Sequence, residues 1–308
     1  MVSYNEAQRY WIWFIFNELH QSKSEDTGFN QKFWLPSIAF LKGIELITST
    51  SPVYMIATLK HLSKNYKIDL SKPLDISIAL SGGENNINAW YLGPPQIKPH
   101  AEEGFVGKVT EGASTNFNDI YFNPHSHVTH TECLGHITEG FHSINQKLKK
   151  FFFLAEVVTV APEQMGDDFV ISEKQLKYAL GNKKREAVVI RTLPNTKEKR
   201  SRNYSDTNPL YLLEEAARYL VKKGVGHLLI DLPSVDKERD GGALLCHNAF
   251  WNIKGKPREK ATITELIYVP NKVKDGTYFL NLQVAPFEND ASPSRPVLYK
   301  IEEKWRPF

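Results

Sequence analysis

The stretch NPLYLLEEAARYLVKKGVGHLLID, Asn208 to Asp231, decides the fold class. Leu212, Ala216 and Leu220 recur at helical spacing, so Asn208–Lys223 reads as an amphipathic helix. Gly224 supplies the left-handed stop that helix C-termini favour. His227–Asp231 follows as the next strand, and Pro233 marks the turn after it. A helix that hands over to a strand is the repeating unit of α/β proteins.

The same alternation continues outward. Upstream, Ala187–Arg191, Phe152–Val160, Asp119–Phe122 and Asp75–Leu80 read as strands. Ser172 before EKQLKYAL is an N-cap opening a short helix. Downstream, Thr262–Val269, Tyr278–Ala285 and Pro296–Ile301 are further strands. Strands outnumber helices and are not evenly interleaved with them. The expected fold is one α/β domain with a mixed, strand-rich sheet and a few flanking helices. Pro194–Thr207, with Lys197, Lys199, Arg200 and Arg202, reads as a solvated loop. Residues 1–54 are aromatic-rich at Tyr10–Phe16 and Phe29–Trp34, with a polar stretch between, and share little of this pattern. They read as an extension or as sequence ahead of a start at Met55, which leaves 55–308 as the domain.

Composition excludes several classes. A net charge of +3 is too small to make nucleic acid or an anionic membrane the main partner. The longest apolar run, Trp11 to Phe16, falls far short of the 18 or more residues of a membrane span, and residues 1–20 lack a secretory-signal pattern. Two cysteines, Cys133 and Cys246, form no disulfide framework or redox pair, so a reducing, cytoplasmic setting is the default. Both are read as small core residues. Neither Ser81 nor Ser234 lies in a GxSxG elbow, and LSGGE at Leu80–Glu84 is too short to cradle phosphate.

Histidine placement carries the chemistry. Of ten histidines, five (125, 127, 130, 136 and 142) fall in one short segment whose core is NPHSHVTHTECLGHI, Asn123 to Ile137. Imidazole and carboxylate are the usual ligands of zinc and similar ions. In extended chain His130 and Glu132 leave the same face. A helix opening just after Glu132 puts His136 one turn on, beside Glu132, and a bend at Pro124 brings in His125. His127 shares a face with His125 and stays in reserve as a ligand, with an outer or exposed role expected. His142 is expected on a helix surface beyond the site, and His20, His61, His100 and His227 are read as structural.

This segment resembles the signature of the cyclase-like metal-dependent hydrolases, the family of bacterial kynurenine formamidase and isatin hydrolase, whose motif reads His-x-Gly-Thr-His-x-Asp-x-Pro-x-His. Thr129-His130 matches the Thr-His, Glu132 stands for the Asp, and His136 matches the last histidine. The first histidine falls one residue early, at His125, with Ser126 in its strict register; Val128 replaces the glycine and Leu134 the proline. HLLIDLPSVD, His227 to Asp236, resembles a later family segment, His247 and Glu265 match its downstream ligands, and Asp290, Pro293 and Arg295 match its closing Asp-x-x-Pro-x-Arg. Trp90 in NAWYLGPP stands where the family carries an aromatic residue of the substrate pocket.

The resemblance implies a swivelling β/β/α fold and two divalent ions, zinc or manganese. His125 and His130 would hold one, His247 the other, with Glu132 and Glu265 bridging. It further implies a metal-bridged hydroxide that attacks an amide carbonyl, with His136 as proton shuttle. The expected activity is hydrolysis of a non-peptide carbon–nitrogen bond, N-formylkynurenine being the first choice of substrate, in a homodimer. Opening of a cyclic amide such as isatin is the enzymatic rival. A non-catalytic metal-binding protein is the other, and it would show a closed ligand shell.

Overall fold

The structure, a computed structural model, describes residues 54–302. The reading of residues 1–54 as an extension lies, but for Tyr54, outside the described residues.

Eleven strands form one sheet: β1 (Ile56–His61), β2 (Lys64–Asp69), β3 (Leu74–Asp75), β4 (His130–Glu132), β5 (Phe152–Val160), β6 (Ala187–Thr192), β7 (His227–Ile230), β8 (Thr262–Glu265), β9 (Gly276–Asn281), β10 (Ala291–Pro293) and β11 (Val297–Glu302). Their order is β1-β2-β11-β9-β5-β6-β7-β8-β4-β10, with β3 on β11. Strands β5 to β8 pair in parallel, and β4, β9, β10 and β11 pair antiparallel to their neighbours. The sheet is thus mixed, and β5 falls on the expected residues. The parallel strands are almost wholly buried, which explains why they read as unbroken Val/Ile/Leu runs.

Helices α1 (Glu173–Leu180), α2 (Glu214–Lys222) and α3 (Leu245–Trp251) add Leu176, Leu180, Ala216, Leu220, Phe250 and Trp251 to a core shared with Val157, Val188, Leu229 and Ile263. Each such side chain, fully buried, contributes about 1.5–3 kcal/mol if it is Val, Leu, Ile or Phe. Helix α1 opens on a capping box, in which Ser172 and Gln175 each satisfy the other's backbone amide.

Several elements differ from expectation. Helix α2 begins at Glu214, six residues late, because Tyr211–Leu212 pairs in parallel with Val170–Ile171 in a separate small sheet. Strand β3 stops at Asp75, whose carboxylate takes the amide and hydroxyl of Ser77 and turns the chain. Strand β8 stops at Glu265, because Leu266 adopts a φ of 54°. Strand β9 runs Gly276–Asn281 and β11 runs Val297–Glu302, both shifted from the expected spans. The Asp119–Phe122 strand is found at Asn118–Tyr121, exposed at every residue and paired only with Gln96–Pro99.

The basic loop holds the largest surprise. Lys199 is buried, and its ammonium donates to Thr192 O (2.7 Å), Thr192 Oγ1 (2.7 Å) and Asp231 Oδ2 (2.8 Å). The loop folds back over the ends of β6 and β7, where Asp231 and the last carbonyl of β6 need donors. Burial raises the Asp231 pKa despite Lys199 and the Thr192 amide. Lys199→Met strands this carboxylate and is expected to cost about 3–5 kcal/mol in chemical denaturation. The deficit should shrink on acidification, since a neutral Asp231 carboxyl no longer needs the ammonium; a deficit that does not change with pH would overturn this account.

Candidate metal centre

Strand β4 is three residues long, buried throughout, and lies between β8 and β10. His130 and Glu132 share one face of it, and Thr131 turns to the other, against Thr264 Oγ1 at 2.8 Å. The antiparallel register sets Glu265 directly across from His130. His130 Nε2 and Glu265 Oε2 are consequently 3.5 Å apart. These groups stand at the carboxyl end of β8, the end of a parallel sheet where ligands commonly bind.

Asn123 and Pro124 open a single helical turn, Pro124–His127, capped by the Asn123 side chain on the His125 amide. This turn aims His125 inward and His127 away. His125 Nδ1 lies 3.2 Å from Glu132 Oε2. His127 Nδ1 accepts the Asn123 amide at 2.9 Å while Nε2 donates to Gly93 O at 3.0 Å, so neither ring nitrogen is free. The geometry therefore brings His125 to the cluster and leaves His127 outside it.

After Glu132 the chain forms a 3-10 turn, Leu134–Ile137, rather than an α-helix. It still returns His136 to Glu132, with Nε2 to Oε2 at 3.8 Å. Gly135 is required there, since a Cβ at this position would meet His142 O at 2.5 Å. His142 itself lies in a loop, not on a helix. Cys133 and Cys246 are both buried, with thiols donating to the carbonyls of His142 and Leu212.

His247 arrives in the first turn of α3. Asp236 caps that turn from a distance: Oδ1 accepts the Cys246 amide at 2.7 Å, and Oδ2 the His247 amide at 3.1 Å. The same Oδ2 faces His247 Nδ1 at 2.5 Å, which leaves Nε2 turned to Glu132 Oε1 at 3.1 Å. An outer carboxylate that fixes the tautomer of an inner histidine is the usual partner of a metal-binding imidazole.

Each glutamate divides its oxygens between two groups of histidines. Glu132 presents Oε1 to His247 and Oε2 to His125, His130 and His136. Glu265 presents Oε1 to His247 at 3.8 Å and Oε2 to His130. Two triads, His125–Glu132–His136 and His130–Glu132–Glu265, each gather ligand atoms closely enough to hold an ion. Within this cluster two atoms are buried with no hydrogen-bond partner, His130 Nε2 and Glu132 Oε2. His130 Nδ1 already donates to Val128 O at 3.0 Å, so Nε2 offers a bare lone pair. A lone pair facing a carboxylate oxygen across 4.0 Å is costly unless a cation lies between them. The donor set therefore fits a divalent metal.

The protonation equilibria show the same demand for positive charge. Burial works against the His125 imidazolium, yet Asp290 and Glu132 raise its pKa to about 10. Burial likewise opposes His247, and Asp236 with Glu132 raises it to about 10. Glu132 is held well below the usual carboxylate range, the surrounding His136, His125 and His247 prevailing over burial.

Sequence matching assigned no role to Asp236 or Asp290. Asp290 Oδ2 lies 2.9 Å from His125 Nε2 and 3.3 Å from His136 Nδ1. It thereby turns the opposite ring nitrogen of each imidazole toward Glu132. The only sequence signal was the motif position of each aspartate.

Above the cluster opens a cavity of about 400 Å³ lined by Trp90, Leu92, Asn123, Ser234 and Leu244, with His125, His136, His247 and Glu265 at its floor. Trp90 Nε1 donates to His125 O at 3.2 Å, which ties this wall to the cluster. Larger cavities lie elsewhere, one beside Lys147 and His227 and one beside Pro194 and Tyr204. Neither contains one of the metal-capable triads found among the described residues.

The chain belongs to the Cyclase family, whose sequence profile matches residues 68–237. His247, Glu265 and Asp290 lie beyond the matched span. No curated relative matches the sequence. Among solved structures, a predicted metal-dependent hydrolase from Bacillus stearothermophilus is similar at 17% identity and a TM-score of 0.54, covering 74% of this chain and 98% of its own. Isatin hydrolase A from Labrenzia aggregata, bound to benzyl benzoate, is similar at 12% identity and a TM-score of 0.56, covering 75% of this chain and 94% of its own. Isatin hydrolase A from Ralstonia solanacearum is similar at 13% identity and a TM-score of 0.53, covering 74% and 91%. At these identities the likeness shows the shared fold. Among the described residues no helix is long and apolar enough to cross a membrane.

Proposed function

We propose that this protein is a metal-dependent hydrolase of a non-peptide carbon–nitrogen bond in a small aryl amide, with an aryl formamide such as N-formylkynurenine as first choice. The observation that carries the reading is the division of the Glu132 and Glu265 oxygens between His125/His130 on one side and His247 on the other. A carboxylate with two facing oxygens is the group that can serve two cations at once. His125 Nδ1 and His130 Nε2 would hold one ion and His247 Nε2 the other, zinc or manganese by the nitrogen and oxygen donors. When bound, such ions supply a Lewis acid for the carbonyl oxygen and lower the pKa of water toward roughly 7.

The remaining chemistry belongs to the chain. With Nδ1 of His136 directed at Asp290, its Nε2 is free to take a proton from the attacking water and return it to the departing nitrogen. Trp90, Leu92 and Leu244 offer a flat, mostly apolar wall to an aromatic ring. An open cavity over the cluster and an imidazole with a free nitrogen both speak against a purely structural metal.

A cyclic amide of the isatin type is the second reading. Among the described residues that line the cavity none is Lys or Arg, so a zwitterionic side chain finds no cation in the wall, whereas a compact neutral ring needs none. Metal analysis followed by parallel assays on N-formylkynurenine, a formanilide and isatin separates the readings. Turnover of isatin alone would move the assignment to ring opening, and turnover of none with metal bound would sink both. Trp90→Ala is expected to raise the KM of an aryl substrate by about tenfold, from lost stacking of about 0.5–1.5 kcal/mol together with lost apolar contact. Metal content should not change; loss of metal would show that Trp90 supports the cluster instead. The functional unit in this reading is a homodimer, and light scattering that gives 35.2 kDa would rule it out.

A further inference from the structure

The wall of the cavity is built on strained backbone. Trp90 and Tyr91 are consecutive, and each has a φ of 60°. Asp206 and Asn208, on the loop beside them, have φ values of 60° and 46°. Bulky residues in this region are outliers, kept there only where surrounding bonds over-determine the conformation.

One carboxylate gathers those bonds. Glu238 Oε1 accepts the Tyr91 hydroxyl at 2.8 Å and the Asp206 amide at 2.6 Å, and Oε2 accepts the Asn208 amide at 3.0 Å. The Tyr91 amide donates in turn to Ser205 Oγ at 2.9 Å, so the two loops are tied to each other as well as to Glu238. Arg239 adds contacts to the Tyr91 hydroxyl and the Asp206 carboxylate. Glu238 follows Asp236 by two residues. A single loop thus fixes His247 through one carboxylate and the Trp90 wall through another.

We propose that Glu238 is a positioning residue that sets the Trp90–Tyr91 wall, and with it the choice among aryl substrates, while taking no part in holding metal. Its kinetic consequence rests on the function proposed above, whereas its structural consequence does not. Glu238→Ala removes all three acceptor contacts. Glu238→Gln keeps one acceptor oxygen but turns an amide group on the Asn208 amide. Tyr91→Phe removes the single bond that joins Glu238 to the wall and is the milder variant should Glu238→Ala not fold.

The test combines hydrogen exchange with metal analysis and formanilide kinetics on the full chain. In Glu238→Ala, amides of residues 88–92 and 204–208 should exchange about tenfold faster, as expected when bonds to a charged acceptor are lost. Segments 130–132 and 245–251 and the metal content should stay as in the parent. KM should rise about tenfold with kcat within about twofold, and Glu238→Gln should fall between. Unchanged exchange at 88–92 in both Glu238→Ala and Tyr91→Phe would overturn the proposal, as would loss of metal or a fall in kcat at constant KM. If no formanilide is hydrolysed by the parent, the activity reading fails on its own, and exchange still decides the role of Glu238.

Discussion

His136→Ala is expected to lose about 10²–10⁴-fold in turnover, the usual worth of a positioned general acid–base, and to keep its metal. The geometry makes this a sharp experiment, because His136 stands close enough to Glu132 and His125 to complete a triad able to hold an ion. What separates shuttle from ligand is its surroundings. The His136 side chain is 31% exposed, beside the cavity, while those of His130 and His247 are 0% and 2% exposed. His136 can therefore meet a water and a substrate nitrogen from the cavity side, where His130 does not reach. His130→Ala is the paired variant, and it should lose metal and activity together. Metal loss in both variants would make His136 a ligand and remove the proposed proton route.

Glu132→Gln is expected to lower metal affinity by more than about 100-fold, beyond the 10–100-fold typical of losing a partner outside the ligand set. The substitution is nearly isosteric, so the effect would report charge and lone pairs rather than packing. Glu132 faces four histidines from a fully buried position, and among the described residues no other carboxylate lies within ion-pair distance of both His125 and His247. Asp236→Asn offers the graded comparison. It should reduce affinity by about 10–100-fold, since an amide can leave the His247 tautomer unfixed but removes no ligand atom. Calorimetric titration of metal-free protein with zinc checks both. Equal losses in the two variants would mean that Glu132 acts as Asp236 does, by orienting histidines.

Part of this architecture is local and was legible in the chain. The span of β5 followed from its β-branched and aromatic run, and the start of α1 from Ser172, because strand burial and helix capping are set by near neighbours. The convergence of His130, Glu132 and His136 needed only strand alternation and one turn, so a 3-10 turn in place of an α-helix did not disturb it. Motif resemblance, not pattern, pointed to His247, Glu265 and Trp90.

Other features arise from contacts distant in sequence. Ala216 and Leu220 suit the helix that was read, yet pairing of Tyr211–Leu212 with Val170–Ile171 claimed its first residues. Lys199 looks solvated in a polar run, but it closes over the ends of β6 and β7, 32 residues short of its partner Asp231. Spacing could not choose between His125 and His127; the capped turn at Asn123 aimed one ring inward and gave the other to Gly93 O.

By itself, then, the sequence determined the α/β class and the choice of metal-type side chains, because hydrophobic periodicity, caps and ligand chemistry act over a few residues. Only the tertiary structure decided that Glu265 lies opposite His130, that Asp236 and Asp290 orient the histidines, and that Glu238 braces the cavity wall. Each of those depends on strand register or loop apposition between segments far apart in the chain, and such pairings are set by the packing of the whole sheet rather than by any local stretch.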